Sequence, residues 1–409
     1  MNCERFWKAL ETDVSNAYNA YPIHYRHVHG GGKMKIVILM DSFKGSLSSK
    51  EAGEAVKAGI FASGTDADVS VFPFADGGEG TLDAFLAADK GSRRVTVQVS
   101  DPLGRGIEAS YGVLSDNTAV IEIAQAAGLY LLSEDERNPM HTTTKGVGQL
   151  LRHAIDSGYR RFIVALGGSA TNDCGLGMLK ELGLTVTDED GNTVKDGAVG
   201  LSNAVSADDK NLLPKIRECE ITIAGDVENP LYGPNGASQV FAPQKGASPE
   251  EIDKMDGWMR RFSDMVKIRY PNADAQAKGA GAAGGLGYAF QTFFNAKMAP
   301  GANVLIERTD IESMIAGSDI VIIGEGRMDA QTAMGKAPAR IANLAKRYNK
   351  KVIAIAGCAG DGYEKCKEAG IDEIYFATPP DMDISEAMKK DVALENIKRT
   401  VCGIMKNRG

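Results

Sequence analysis

Between Val321 and Lys336 (VIIGEGRMDAQTAMGK) a short apolar run breaks into Glu325, Arg327, Asp329, Thr332 and Lys336. Carboxylates interleaved with cations and glycines suit the holding of an anion, a hard cation or both. Four further apolar runs end in glycine-rich polar segments. Val71–Gly80 brings Asp76, Gly77, Gly78 and Glu79, and Phe162–Asp173 brings Gly168, Ser169, Thr171, Asn172 and Asp173. Ile221–Pro230 brings Asp226, and Val352–Gly362 is the fourth. Ligands of open α/β sheets sit outside the carboxyl ends of the strands. Five such endings predict one active site assembled from several loops.

Each loop has more than one chemical reading. Asp76 and Glu79 among glycines suit Mg²⁺, a polyol or a plain turn. Asp226 suits a metal, a proton or an Asx-turn. Asp173 suits a metal or a hydroxyl, or caps the helix expected from Gly175. Lys44, Lys245, Arg327 and Lys336 lie in glycine-rich or loop-like surroundings. They are the cations that an acidic chain would gather around a phosphorylated or carboxylate ligand. Gly279–Gly284 has the GxGxxG spacing without a preceding strand or a following acid at the distance a dinucleotide site needs. Gly281 and Gly284 therefore either face an anion ahead of a helix over Tyr288–Asn295 or allow close helix packing. The chain has no GxxxxGK[ST], no GxSxG and no HRD or DFG protein-kinase signature.

The elements that position these residues are legible in part. Met34–Met40 is a buried strand, Asp41–Leu47 a polar loop, and Ser48 with Glu51 a capping box for a helix to Ala62. ADVSVFPF is the next strand. Arg94–Ala124 alternates between turn residues and predicts antiparallel strands. A helix is expected over Thr142–Ser157, a strand over Arg160–Leu166 and a helix over Gly175–Leu182. Ser248 and Glu251 cap another helix, with Pro249 in its first position. The last third alternates Ile320–Ile323, Pro338–Arg347, Val352–Ala356, Gly362–Ala369, Glu373–Phe376 and Ile384–Lys390. The expected architecture is α/β: a flavodoxin-like doubly wound parallel-sheet domain from 34–90 and 300–409, with an inserted second mixed α/β domain over 91–299 and an N-terminal extension over 1–33.

The chain has 409 residues, 43% hydrophobic and 24% charged, with a net charge of −8. That composition is ordinary for a soluble globular protein. No basic stripe invites nucleic acid, and no run is long enough to span a membrane. The six cysteines lack metal or disulfide spacing, which with the lack of a signal peptide points to a cytoplasmic protein. His24, His27 and His29 sit in the extension with Phe6, Trp7, Tyr18, Tyr21 and Tyr25. The extension reads as an incidental tail, with a docking arm as the sharper alternative.

Taken together, the motifs resemble the glycerate kinase family of the bacterial, glycerate 2-kinase-like type, from Met34 to about Lys390. The resemblance rests on Asp41–Leu47 (DSFKGSL), Phe74–Thr81, Asp101–Gly104 (DPLG), Gly167–Asp173 (GGSATND), Asp226 with Asn229–Leu231, Phe241–Ala247 (FAPQKGA), Gly279–Gly285, and Gly324–Thr332 with Gly335 and Lys336. Leu39-Met40 stands where the family has alanine-proline, and Cys174 where it has glycine. The resemblance implies ATP- and Mg²⁺-dependent transfer of the γ-phosphoryl group to D-glycerate, favouring 2-phosphoglycerate, in a cleft that closes over its substrates. On that reading Lys44 and Lys245 contact phosphate or carboxylate, and Arg327 grips the carboxylate. Asp226 is the hydroxyl base or a metal ligand, while Asp76, Asp173, Glu325 and Asp329 share the metal. Asp41, Ser42, Ser46, Gly77, Gly78, Glu79, Gly168, Ser169, Thr171, Asn172, Gln244, Gly281, Gly284, Thr332 and Lys336 surround the ligands. The alternatives are 3-phosphoglycerate as product, a kinase for another small hydroxy acid, a nicotinamide-dependent oxidoreductase and a sugar-acid sensor. Homo-oligomerisation is open.

Overall fold

The structure, a computed structural model, describes residues 33–408. The histidine and aromatic tail lies outside those residues. From Lys35 onward the chain forms one compact unit built on two main sheets.

The strands in chain order are β1 (Met34–Met40), β2 (Ala67–Pro73), β3 (Arg93–Ser100), β4 (Gly106–Val113), β5 (Thr118–Glu122), β6 (Arg161–Ala165), β7 (Thr185–Thr187), β8 (Ser206–Asp208), β9 (Glu220–Ala224), β10 (Lys297–Ala299), β11 (Ile320–Met328), β12 (Lys351–Ala359) and β13 (Glu373–Phe376). The first sheet runs β2-β1-β11-β12-β13. That is the flavodoxin-like order, with its switch point between β1 and β11. The β1–β11, β11–β12 and β12–β13 pairs are all parallel. Apolar side chains cover both faces of β1. Val37 and Leu39 join the core with Ile341 and Leu344 of the helix Ala337–Arg347. Ile36 and Ile38 are buried on the other face, where the helix Ser49–Ala62 packs against the helix Lys390–Lys406. Continuous apolar strands of this kind belong to parallel sheets covered on both sides.

The second sheet runs β10-β9-β6-β5-β4-β3. Its β10, β9, β6 and β5 are mutually parallel, and β4 and β3 continue it antiparallel. The alternating Arg94–Ala124 stretch is this antiparallel edge. One apolar core joins the sheets: Val120, Ile163 and Ala224 of the second share it with Val37, Leu39 and Val321 of the first. Beneath the second sheet a larger core gathers the helices Lys145–Asp156, Leu176–Glu181 and Ala282–Phe294.

Both capping boxes form. The Ser48 hydroxyl accepts from the Glu51 amide and the Ser248 hydroxyl from the Glu251 amide. Several boundaries depart from the sequence reading. β11 continues five residues past Ile323, so Glu325 and Arg327 lie on a strand instead of a loop. Pairing holds it extended: Glu325 is in register with Ala356 and Arg327 with Cys358. Gly324 allows the approach, since a Cβ there would lie 2.0 Å from the Ile355 carbonyl oxygen. The segment expected as a helix over Gly362–Ala369 is a 3₁₀ turn at Tyr363–Lys367. The helix expected over Ile384–Lys390 is a single turn, Ile384–Ala387, followed by the 17-residue helix Lys390–Lys406. The β7–β8 hairpin has no counterpart in the sequence reading.

Candidate active site

The carboxyl ends of both sheets open on one cleft of about 890 Å³. The loop after β2 supplies Asp76, Gly77, Gly78 and Glu79, and the loop after β6 supplies Gly168 and Ser169. The loop after β9 supplies Asp226, and Gln244 and Lys245 come from the turn Pro243–Lys245. A second hollow of about 440 Å³ holds Asp41, Ser42, Ser46, Glu325, Arg327 and Asp329 at the switch point of the first sheet. Lys44, Asp76 and Lys336 line both hollows, so the two adjoin. Glu325 and Arg327, two residues apart on β11, share a strand face.

The charges are unevenly paired. Among the described residues Lys44, Arg327 and Lys336 form no ion pair. The carboxylates are crowded, and desolvation shifts four of them. Burial, then the neighbouring Asp76, pushes Asp41 up to about 7, against the Ser42 amide that donates to its Oδ1 at 2.6 Å. Burial raises Glu325 to about 7 although the Thr332 hydroxyl donates to it at 2.6 Å. Burial raises Asp226 to about 6 against the pull of Arg340. Burial likewise holds Glu79 above the ordinary carboxylate range. Lys245 is almost fully enclosed and donates to the Ser169 hydroxyl at 2.8 Å and the Thr171 carbonyl at 2.7 Å. Burial drives it down to about 7. The Ser46 hydroxyl is buried without a hydrogen-bond partner.

Other predicted residues lie behind the walls. Thr171, Asn172 and Asp173 are fully buried and line neither hollow. The Asp173 carboxylate accepts from the amides of Thr144, Gly175 and Gly177 and from the Thr144 hydroxyl, a helix-end cap that spans two segments. Asn172 donates to the Ser238 hydroxyl at 2.9 Å. Thr332 reaches the site through Glu325. Gly281 and Gly284 are packing glycines: a Cβ would lie 2.2 Å from the Pro230 oxygen at the first and 2.1 Å from the Thr171 oxygen at the second. The helix that follows begins at Ala282, earlier than expected, and kinks at Ala283–Gly285. Cys174 takes a positive φ of 53°, the conformation that glycine adopts most readily. Its thiol is fully enclosed, and burial holds it well above the ordinary range.

Sequence reasoning missed Arg340. It lines the cleft, its Nη2 lies 3.6 Å from Asp226 Oδ1, and its Nη1 donates to Asn303 Oδ1 at 3.1 Å. The available signal was its spacing from Lys336, four residues earlier at the start of the same helix. Lys278 and Glu228, paired at 3.0 Å on the rim, were also missed. Among the described residues no cluster of three or more His, Cys, Asp or Glu is arranged to hold a metal by itself, and no helix is long and apolar enough to cross a membrane.

Known proteins resemble the chain over most of its length. The model of the glycerate kinase family matches residues 36–407. A glycerate kinase of Bacillus subtilis (strain 168) is 41% identical over 368 residues, 90% of this chain and 96% of that protein. A glycerate 2-kinase of Escherichia coli (strain K12) is 39% identical over 382 residues, 92% of this chain and 100% of that one. A crystal structure of a protein assigned as glycerate kinase 2 from Salmonella typhimurium LT2 superimposes with a TM-score of 0.76 at 39% identity, covering 92% of this chain and 98% of its own.

Proposed function

The chain belongs to the glycerate kinase family and is an enzyme of the kinase type, and from that premise we propose that it transfers the γ-phosphoryl group of ATP to the 2-hydroxyl of D-glycerate. The products are 2-phosphoglycerate and ADP. One observation carries the reading: Lys44, Arg327 and Lys336, which form no ion pair among the described residues, line with Asp76, Asp226 and Glu325 two adjoining hollows at the carboxyl ends of the strands. Phosphoryl transfer asks mainly for positioning and charge stabilisation, and three cations without ion pairs among the described residues, gathered around adjoining hollows of an acidic protein, suit an anion.

In this reading Lys44 and Lys336 take phosphate oxygens, and Arg327 takes the glycerate carboxylate with its planar fork. Lys245 stiffens the Gly168–Ser169 loop from within. Asp226 accepts the proton of the attacking hydroxyl. The rim of Asp41, Asp76 and the buried Glu325 fits Mg²⁺, since its hard oxygens repel one another and a cation would relieve that. Mg²⁺ commonly takes only one or two carboxylates and completes its shell with phosphate and water. Asp76 and Glu325 would hold the ion, with Asp329 beside them. When bound, it neutralises charge on the phosphates. Asp173, enclosed and fully hydrogen-bonded, serves the fold. ADP release in the presence of ATP, Mg²⁺ and D-glycerate tests the reading, and phosphorus NMR of the product separates the 2- from the 3-phosphate. No ADP release would remove it.

A further inference from the structure

Arg340 stands at the cleft in an unfinished arrangement. Its guanidinium is carried by the helix Ala337–Arg347 and steadied by the 3.1 Å hydrogen bond from Nη1 to Asn303 on the helix Gly301–Glu307. Nε is enclosed and has no acceptor. Nη2 lies 3.6 Å from Asp226 Oδ1, an ion pair too long for a hydrogen bond. Nε–H and Nη2–H lie on one edge of the guanidinium, the edge that takes a carboxylate in two parallel hydrogen bonds. The edge that is spare is therefore the one beside Asp226, and an enclosed donor left unbonded is unfavourable. A shift of less than an ångström would bring Nη2 within hydrogen-bond distance of Oδ1.

We infer that Arg340 is a positioning residue for the transfer: its Nε–Nη2 edge closes on the Asp226 carboxylate when the cleft fills, and fixes that carboxylate's orientation toward the reacting hydroxyl. The inference rests on the proposed role of Asp226 as proton acceptor. No covalent step involves Arg340. It acts through Asp226, so its loss falls on the chemical step and leaves substrate capture largely intact. Lysine keeps the charge and lacks the fork, which separates orientation from simple attraction.

The test is steady-state kinetics of the full-length chain with ATP, Mg²⁺ and D-glycerate, using Arg340→Ala, Arg340→Gln, Arg340→Lys, Asp226→Asn and the double variant Arg340→Ala/Asp226→Asn. Circular dichroism checks the fold of each. Arg340→Ala is expected to lower kcat about 100-fold with KM for both substrates within threefold, in the range set by loss of one preorganised contact. Arg340→Lys recovers no more than tenfold. In the Asp226→Asn background the Arg340→Ala change adds less than threefold, because the residues act as one unit. If Arg340→Ala does not fold, Arg340→Gln and Arg340→Lys carry the same comparison. A multiplicative double variant, a loss confined to KM, or full activity in Arg340→Lys overturns the inference while leaving the kinase reading standing. Near-normal turnover in Asp226→Asn overturns both the assignment of Asp226 and the role of Arg340.

Discussion

The amide of Gly167 donates to the carbonyl of Gly77 at 2.9 Å, joining the loop after β6 to the loop after β2. Neither position has room for a side chain. A Cβ at Gly167 would lie 2.3 Å from Gly78 Cα, and one at Gly77, where φ is +99°, would lie 2.4 Å from the Ala224 carbonyl. Gly77→Ala therefore displaces the loop that carries Asp76 and Glu79. We expect kcat/KM to fall at least tenfold and stability to drop by about 1–3 kcal/mol, the usual range for forced overpacking. Steady-state kinetics and urea melts check this, and an unaltered variant would show that the loops are not tightly joined.

The expected pH profile follows from the proposed role of Asp226 as proton acceptor. A proton acceptor works in its ionised form, and burial has raised this group from an ordinary carboxylate value to about 6. Its competent form is lost as pH falls through 6. On the acid side kcat/KM should drop about tenfold per pH unit below 6 and level off above about 7. Asp226→Asn should abolish that limb along with most of the turnover. A wild-type acid limb centred near 4 would contradict the assignment.

Glu122 makes an independent prediction about stability. It lies at the end of β5, almost fully buried, and accepts the Leu82 amide at 3.0 Å. Burial raises it from 4.5 to about 7. The folded chain thus keeps a proton that the unfolded chain releases near 4.5. This group's contribution is whole below that pH and is lost as pH rises through 7. Glu122→Gln cannot ionise and can still accept the amide. Its melting temperature should exceed that of the wild type at pH 8, with the advantage shrinking toward pH 5. Thermal melts at the two values decide it, and equal differences at both would be the contrary result.

Thiol labelling distinguishes the cysteines. Cys174 is fully enclosed and its thiol is held protonated, whereas Cys358 is half-buried and lines the smaller hollow beside Arg327. Under native conditions N-ethylmaleimide should modify Cys358 and spare Cys174, since reaction needs an accessible thiolate. Peptide mapping by mass spectrometry reads the sites. Early labelling of Cys174 would mean that the core around the Asp173 cap opens readily.

What was legible in the sequence was local. The Ser48–Glu51 and Ser248–Glu251 boxes fix their helices through contacts three residues apart, and both formed as expected. The bounds of β13, Glu373–Phe376, follow from its own residues. The end of β11 does not, because glycine commonly punctuates a strand and only the register with β12 shows that Gly324 and Gly326 continue this one. Asp173 carried two equal readings because its partner Thr144 comes from 29 residues earlier. Arg340 has only its spacing from Lys336 as a local sign, for the same kind of reason. Its meaning comes from Asp226 and Asn303, which other elements bring to it. The helix Lys390–Lys406 was the avoidable miss, since Ala393, Ile397, Val401 and Ile404 already mark a buried stripe in the sequence.

Because Val120, Ile163 and Ala224 are buried in the same core as Val37 and Leu39, neither sheet can be peeled from the other without wetting both. Heat or denaturant should then expose both sheets together, and coincident transitions by two probes would check it. Any narrowing of the proposed nucleotide site is then expected at the lips, where Met334 is 81% exposed, while the seam below stays shut.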